Sequence, residues 1–290
     1  MRYRVNHVTT YAYARAVDLG SHMLHLTPRA LPWQLVVSAR LSAEPQPTRI
    51  DEGTDHFGNP VCWMALDLPH ARFRVALDAV VEVEAPLPPE AAATWAWERV
   101  SAAALAGGPE GWEAAEFAFA SPMAPADAGV GAYARVSFPA GRPVLEGLLD
   151  LTARIRREFA FKPGVTTIST PVSRVLAQRE GVCQDFTHLM IAGLRALGLP
   201  ARYVSGYLRT RPPPGQTPRQ GADQSHAWVG AWLGPEHGWV DLDPTNNLVV
   251  HDEHVVLAWG RDYGDISPVR GVILGGGSHS VTVGVDLAPV

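Results

Sequence analysis

The chain has 290 residues, 47% hydrophobic and 18% charged, and a net charge of −5. That is enough apolar material for one large core or two smaller ones, and it excludes a disordered or fibrous chain. With no basic run, no basic–aromatic stripe and no apolar run near the roughly 20 residues of a bilayer span, neither nucleic-acid binding nor membrane insertion is expected.

The opening MRYRVNHVTTYAY alternates polar with apolar residues instead of carrying a signal peptide's apolar block, so the expected address is the cytoplasm. Cys62 and Cys183, the two cysteines, lack any partner motif. Neither a disulfide framework nor a CxxC zinc or redox pair is indicated.

Residues 1–86 read as an antiparallel β domain, with strands at Tyr3–Tyr13, Leu35–Leu41, Val61–Leu68 and Arg72–Glu84 punctuated by Pro, Gly and Asp/Asn. Cys62 shares a strand face with Met64, Leu66 and Leu68 and is assigned to the core, while His22 and His25, an odd number apart, would point to opposite faces. From 87 to 143 the composition turns to Ala, Pro and Gly, with one helical patch at Thr94–Leu105, and the stretch reads as a loosely packed connection.

The segment 144–290 begins with an amphipathic helix at Val144–Phe159 and a shorter one at Pro171–Gln178. A third helix follows from Cys183, where Phe186, Leu189, Met190, Leu194 and Leu197 recur at three- and four-residue steps up to Gly198. Cys183 thus sits in a helix's first turn, where free N–H groups and the macrodipole favour an anion.

Ala201–Leu208 is a strand, and a polar loop opened by Arg211–Gly215 leads to Gln224. In the hairpin that follows, His226, Trp228, Gly230 and Trp232 share one face, and Trp239, Asp241 and Asp243 share the returning one. If Leu233 pairs with Gly238, His226 falls opposite Thr245, and Asp243 becomes its diagonal neighbour on the same face, ~7–8 Å away between Cα atoms. A turn one residue longer would separate them. Trp228, Trp232 and Trp239 could wall a groove, although packing in the sheet is their plainer role. His251-Asp252-Glu253-His254 is the densest local set of metal-binding residue types, and it reads as a solvated loop. No metal or other cofactor is expected.

Cysteine at a helix start, then histidine on one strand and aspartate on the next, is the order of a thiol triad: a thiolate to attack a carbonyl, an imidazole to carry the proton, a carboxylate to orient it. The stretches GVCQDFTHLMIAGLRALGLPARYVSGYL, SHAWVGAWL and GWVDLDPTNN resemble the transglutaminase-like superfamily of papain-related cysteine enzymes, in its bacterial branch. YRVNHVTTYAYARAV, HLTPR, DHFGN and GRDYGDISPVRG resemble the same branch, the first three its N-terminal region. The resemblance implies an α+β fold, an N-terminal antiparallel β domain followed by a papain-like/transglutaminase-like catalytic domain. It places the nucleophile on Cys183, the base on His226 and the orienting carboxylate on Asp243. Gln184, Asp185, Tyr207 and Trp228, beside them in the same motifs, are the expected substrate contacts.

Two positions depart from the family pattern: Thr187, where alanine is common, and Phe161, where relatives carry an aromatic hydroxyl. The second lies where relatives find part of their oxyanion stabilisation, leaving the Cys183 N–H as the nameable donor. The implied activity is hydrolysis of a peptide, isopeptide or carboxamide bond in a peptide or protein substrate, in partnership with amide-ligating enzymes. Transamidation, acyl transfer from coenzyme A and a vestigial binding module are the alternatives.

Overall fold

The computed structural model describes residues 1–106, 111–210 and 224–290; the polar loop after Arg211 lies outside them. Strand β1 (Arg2–Leu24) alternates buried and exposed positions through Tyr3, Val5, His7 and Thr9, the period of a sheet with one covered face. It is long enough to hold different partners along each edge. Its first half lies between β5 (His70–Val83) and β14 (His279–Pro289), its second between β4 (Pro60–Leu66) and β13 (Val269–Gly275). With β2 (Gln34–Glu44) on β5 and β3 (Arg49–Thr54) on β4, this makes a seven-stranded antiparallel sheet.

The two C-terminal strands therefore belong to the N-terminal sheet and not to the catalytic segment with which they are contiguous. Cys62, Met64 and Leu66 are core, whereas Leu68 lies beyond the strand and is exposed. His22 and His25 are both buried, the first stacked on Phe73 at 4.3 Å between ring centroids and the second hydrogen-bonded to Asp55.

The Ala/Pro/Gly-rich connection is not loose. It forms α1 (Trp97–Leu105), α2 (Trp112–Ala115) and α3 (Ala128–Arg135), and Trp97, Val100, Val130 and Phe138 enter the same core as α4 (Val144–Glu158). Buried Arg195 fixes this layer to the next helix: its guanidinium donates to the Phe117 carbonyl at 2.9 Å and to Ser121 Oγ at 2.9 Å. A carbonyl left unpaired inside would cost more than such a bond contributes.

Helix α5 (Val172–Gln178) and the short parallel pair β6 (Ala160–Phe161) and β7 (Glu180–Gly181) lead into α6 (Cys183–Arg195). Helix α6 packs on β8 (Ala201–Leu208) and β9 (Gln224–Trp232), which lie in a sheet ordered β11-β10-β9-β8-β12 with β10 (Trp239–Asp243), β11 (Leu248–Val249) and β12 (His254–Gly260). The hairpin register is that of the short turn: Trp239 pairs with Trp232 and Leu242 with Val229.

Apolar packing and side-chain hydrogen bonds join the sheets. Tyr3, Val5 and Val81 of the first pack with Tyr207, Val255 and Leu257 of the second. Beside this apolar seam, the side-chain amides of Gln34 and Asn59 each exchange two hydrogen bonds with β12, at Val256 and at Trp259, at 2.8–2.9 Å. Each amide stands in for a strand residue along that edge.

At the centre of the second sheet, a Cβ added to Gly206 would collide with the Val255 carbonyl and the Trp228 ring. Backbone cannot yield as a flexible side chain can. Gly206→Ala should lower the unfolding free energy by at least about 2 kcal/mol in urea titration; a wild-type midpoint would contradict this packing.

Candidate active site

Four backbone facts bring the sequence-predicted residues together. Helix α6 starts at Cys183, a half-buried position at the sheet's edge. The helix start is held by Asp185, whose Oδ2 accepts from the Val182 N–H at 2.8 Å and from Thr166 Oγ1 at 2.6 Å. Strand β9 carries His226 into the same space, and the hairpin register sets Asp243 beside it. The His226 Nε2 lies 2.8 Å from Asp243 Oδ2, and His226 and Cys183 line the same cavity.

Asp243 is fully buried. Its Oδ1 accepts from the backbone N–H groups of Thr245 at 2.9 Å and Asn246 at 3.2 Å, and its Oδ2 from Asn246 Nδ2 at 2.6 Å. Burial alone would raise its pKa, but the hydrogen bonds from His226 and Asn246 and the nearby imidazole of His254 prevail and hold the carboxyl far below the usual carboxylate range. For His226, burial opposes the charged form, yet the hydrogen bonds and charges of Asp243 and Cys183 push its pKa up to about 10. The ring is an imidazolium at neutral pH.

The stretch at 251–254 is not a solvated loop throughout: His254 is buried, with its Nε2 3.5 Å from Asp243 Oδ2 and its ring edge-on to Trp228. His226, Asp243 and His254 offer ligand atoms within 4.8 Å of one another. A metal would nevertheless have to separate the first two, because ligands on one tetrahedral zinc stand ~3.4 Å apart given zinc–ligand bonds of ~2.0–2.2 Å. As folded, the cluster is a hydrogen-bond network around a carboxylate.

Cys183 and His226 open into a cavity of about 600 Å³ between the two sheets. One side is built by Gln184, Tyr203, Ser205 and Tyr263 with the pair itself, the other by His7, Thr9 and Tyr11 of β1 and by Val281, Val283 and Val285 of β14. Of the expected substrate contacts, Gln184 lines this space. Asp185, Tyr207 and Trp228 do not: Asp185 caps α6, Tyr207 is buried with its hydroxyl 2.8 Å from His7 Nδ1, and Trp228 is buried with its indole N–H donating to Asp241 at 3.0 Å.

The β1 wall escaped the sequence reading, although His7 and Thr9 are polar residues at inward positions of a strand whose other inward positions are apolar, the signal that could have found them. Tyr263 reaches the cavity because its loop is pinned: Arg261 forms a bidentate pair with Asp265, and the Tyr263 N–H donates to His188 Nε2 at 3.2 Å. Burial keeps His188 neutral, with its pKa down at about 4.

Residues 3–82 match the family model of the bacterial transglutaminase-like N-terminal region, and residues 135–244 that of the transglutaminase-like superfamily. An uncharacterized protein of Mycobacterium tuberculosis is 41% identical over 99% of this chain and 93% of its own length, and one of Mycobacterium leprae is 32% identical over 99% and 98%. A Pseudomonas aeruginosa protein-glutamine gamma-glutamyltransferase is 33% identical over 33% of this chain and 15% of its own. The crystal structure of a candidate cysteine protease from Cytophaga hutchinsonii superposes with a TM-score of 0.75 at 22% identity, covering 99% of this chain and 90% of that one, and so shares the fold. The chain belongs to the transglutaminase-like superfamily, in the bacterial group that carries this N-terminal region.

Proposed function

We propose that the protein is a cysteine-dependent acyl-transfer enzyme that hydrolyses an amide bond through a thioester on Cys183. The observation that carries this reading is that His226, hydrogen-bonded to a buried carboxylate, shares one cavity wall with the Cys183 thiol. In the first step the Cys183 sulfur bonds to the carbonyl carbon, and the negative charge gathers on the carbonyl oxygen. The Cys183 N–H, in the helix's first turn and without an intrahelical acceptor, is the donor placed to meet it. His226 then gives its proton to the nitrogen as the C–N bond breaks, and the amine leaves. In the second step the neutral imidazole takes a proton from water, whose oxygen attacks the thioester, and the thiolate departs to leave a carboxylic acid.

Asp243 keeps the imidazole oriented and compensates its charge throughout. Among the described residues the wall offers no lysine or arginine for the phosphates of coenzyme A and no carboxylate for an incoming amine, which supports hydrolysis over both acyl transfer from that cofactor and cross-linking. The Pseudomonas relative's name favours transamidation as the second reading. The substrate would be a peptide or protein amide, and enzymes that ligate such bonds its metabolic counterparts. Both cysteines are unpaired, which suits a reducing compartment and supports a cytoplasmic address.

Product analysis with isotopically labelled methylamine at millimolar concentration tests the reaction. Free carboxylate should dominate at equal conversion, and predominant incorporation of the amine would establish transamidation instead.

Asp243→Asn should cost on the order of 10³–10⁴ in rate, as loss of the orienting carboxylate does in other triads. Asp241→Asn should cost less than tenfold in rate and mainly stability, because Asp241 serves the Trp228 indole and faces buried Arg202. Steady-state kinetics and melting curves of the two variants decide the assignment, which a reversed order would refute.

Iodoacetamide near neutral pH should label Cys183 and spare Cys62. The latter is 2% exposed, and its thiol is pushed up to about 11 chiefly by burial. Peptide mapping reads the outcome; equal labelling of Cys62 in the folded protein would contradict it.

A further inference from the structure

The valine face of β14 changes neighbours partway along the strand. Val285 and Leu287 are 1% and 3% exposed, packed with Tyr207, Val255 and Leu257 of the second sheet. One and two steps earlier on the same face, Val283 and Val281 are 54% and 46% exposed, and both line the cavity that holds Cys183. An apolar strip that seals the domain interface therefore runs on, uncovered, into the reacting space.

The charge around it is equally one-sided. Among the described residues no aspartate, glutamate, lysine or arginine lines the cavity, and of its two histidines His7 is kept neutral by burial, its pKa down at about 4. The wall tyrosines Tyr11, Tyr203 and Tyr263 are held protonated by burial. His226, beside the sulfur, is thus the one charged side chain on this wall. A charged group seated against the valines would lose its water and find no partner, whereas an apolar one would cover surface that now faces solvent.

We propose that Val281 and Val283 form the acyl-side specificity subsite, selecting substrates whose side chain next to the scissile carbonyl is uncharged and apolar. This rests on the acyl-transfer reading given above. The acyl side is assigned because the strip is closed at its Val285–Leu287 end, which suits the group that stays bonded to Cys183 while the amine departs.

The test is the rate at which Cys183 is alkylated by acetyl-leucyl, acetyl-aspartyl and acetyl-lysyl chloromethyl ketones, measured by intact-protein mass spectrometry, with chloroacetamide as a reagent that needs no subsite. In the wild type the leucyl reagent should react at least tenfold faster than the other two, the scale on which an apolar pocket discriminates. Val281→Asp/Val283→Asp should abolish that preference when each rate is divided by the same variant's rate with chloroacetamide. Val283→Thr, which keeps the side-chain volume, should reduce it if the double variant fails to fold. A flat series in the wild type, or a preference unchanged in the variants, overturns the subsite. A folded wild type whose Cys183 ignores chloroacetamide overturns the acyl-transfer reading itself.

Discussion

A carboxylate with no access to water must find its hydrogen-bond donors inside the protein, and the second sheet of this molecule is arranged to supply them to Asp243. Two backbone N–H groups come from the turn that ends β10, one side-chain amide from Asn246, one ring nitrogen from His226, and His254 stands behind at 3.5 Å. Without these the residue would be neutral or the sheet would open, since an unpaired buried charge costs several kcal/mol. Because the donors are numerous, the charge is secure, and because it is secure it can hold an imidazolium against the desolvation that would otherwise discharge it. The tight turn after Trp232 sets which face Asp243 takes, so the chemistry depends on the length of one hairpin.

Much of this was legible because it is local. The spacing of apolar residues after Cys183, the alternation through His226 and the turn at 234–237 are each contained in a few residues, and the resemblance of three motifs in order identified what they jointly do. Of the connection's helices only α1 was legible, as the patch at Thr94–Leu105; α2, α3 and the close packing were missed because Ala, Gly and Pro say little and the large anchors Trp97 and Phe138 are far apart in sequence. The return of the C-terminal strands to β1 is a pairing between chain segments more than 250 residues apart, such as Val5 with Leu287, and no local pattern encodes it. His254 looked solvated because its sequence neighbours are charged; its own side chain turns inward at the start of a strand.

Sequence reasoning also assigned substrate contact to residues that the fold uses otherwise. Nearness along the chain to Cys183 or His226 is a weak guide to what faces the cavity, because a neighbouring side chain can turn back onto the backbone or, even on the right face of a strand, be covered by others. Asp185 is two residues from the nucleophile and points back to cap its helix, and Trp228, two from the histidine, lies in the interior against Val204 and Val256. The residues that do face the sulfur come from the other sheet. What joins the two sheets firmly enough for this is the apolar seam and, beside it, the Gln34 and Asn59 amides on β12.

The position of β14 in the chain has a temporal meaning. Helix α6 and strands β8 to β12, which carry Cys183, His226 and Asp243, all emerge from the ribosome before it, while β1, made first, waits with one edge unpaired. At synthesis rates of ~5–20 residues per second, that interval is on the order of tens of seconds. An unpaired edge of such length is prone to join strands of other chains. The thiol and its histidine can meet during the same interval, with the valine wall still missing. On the acyl-transfer reading and the valine subsite proposed above, a newly made molecule would be reactive before it is selective.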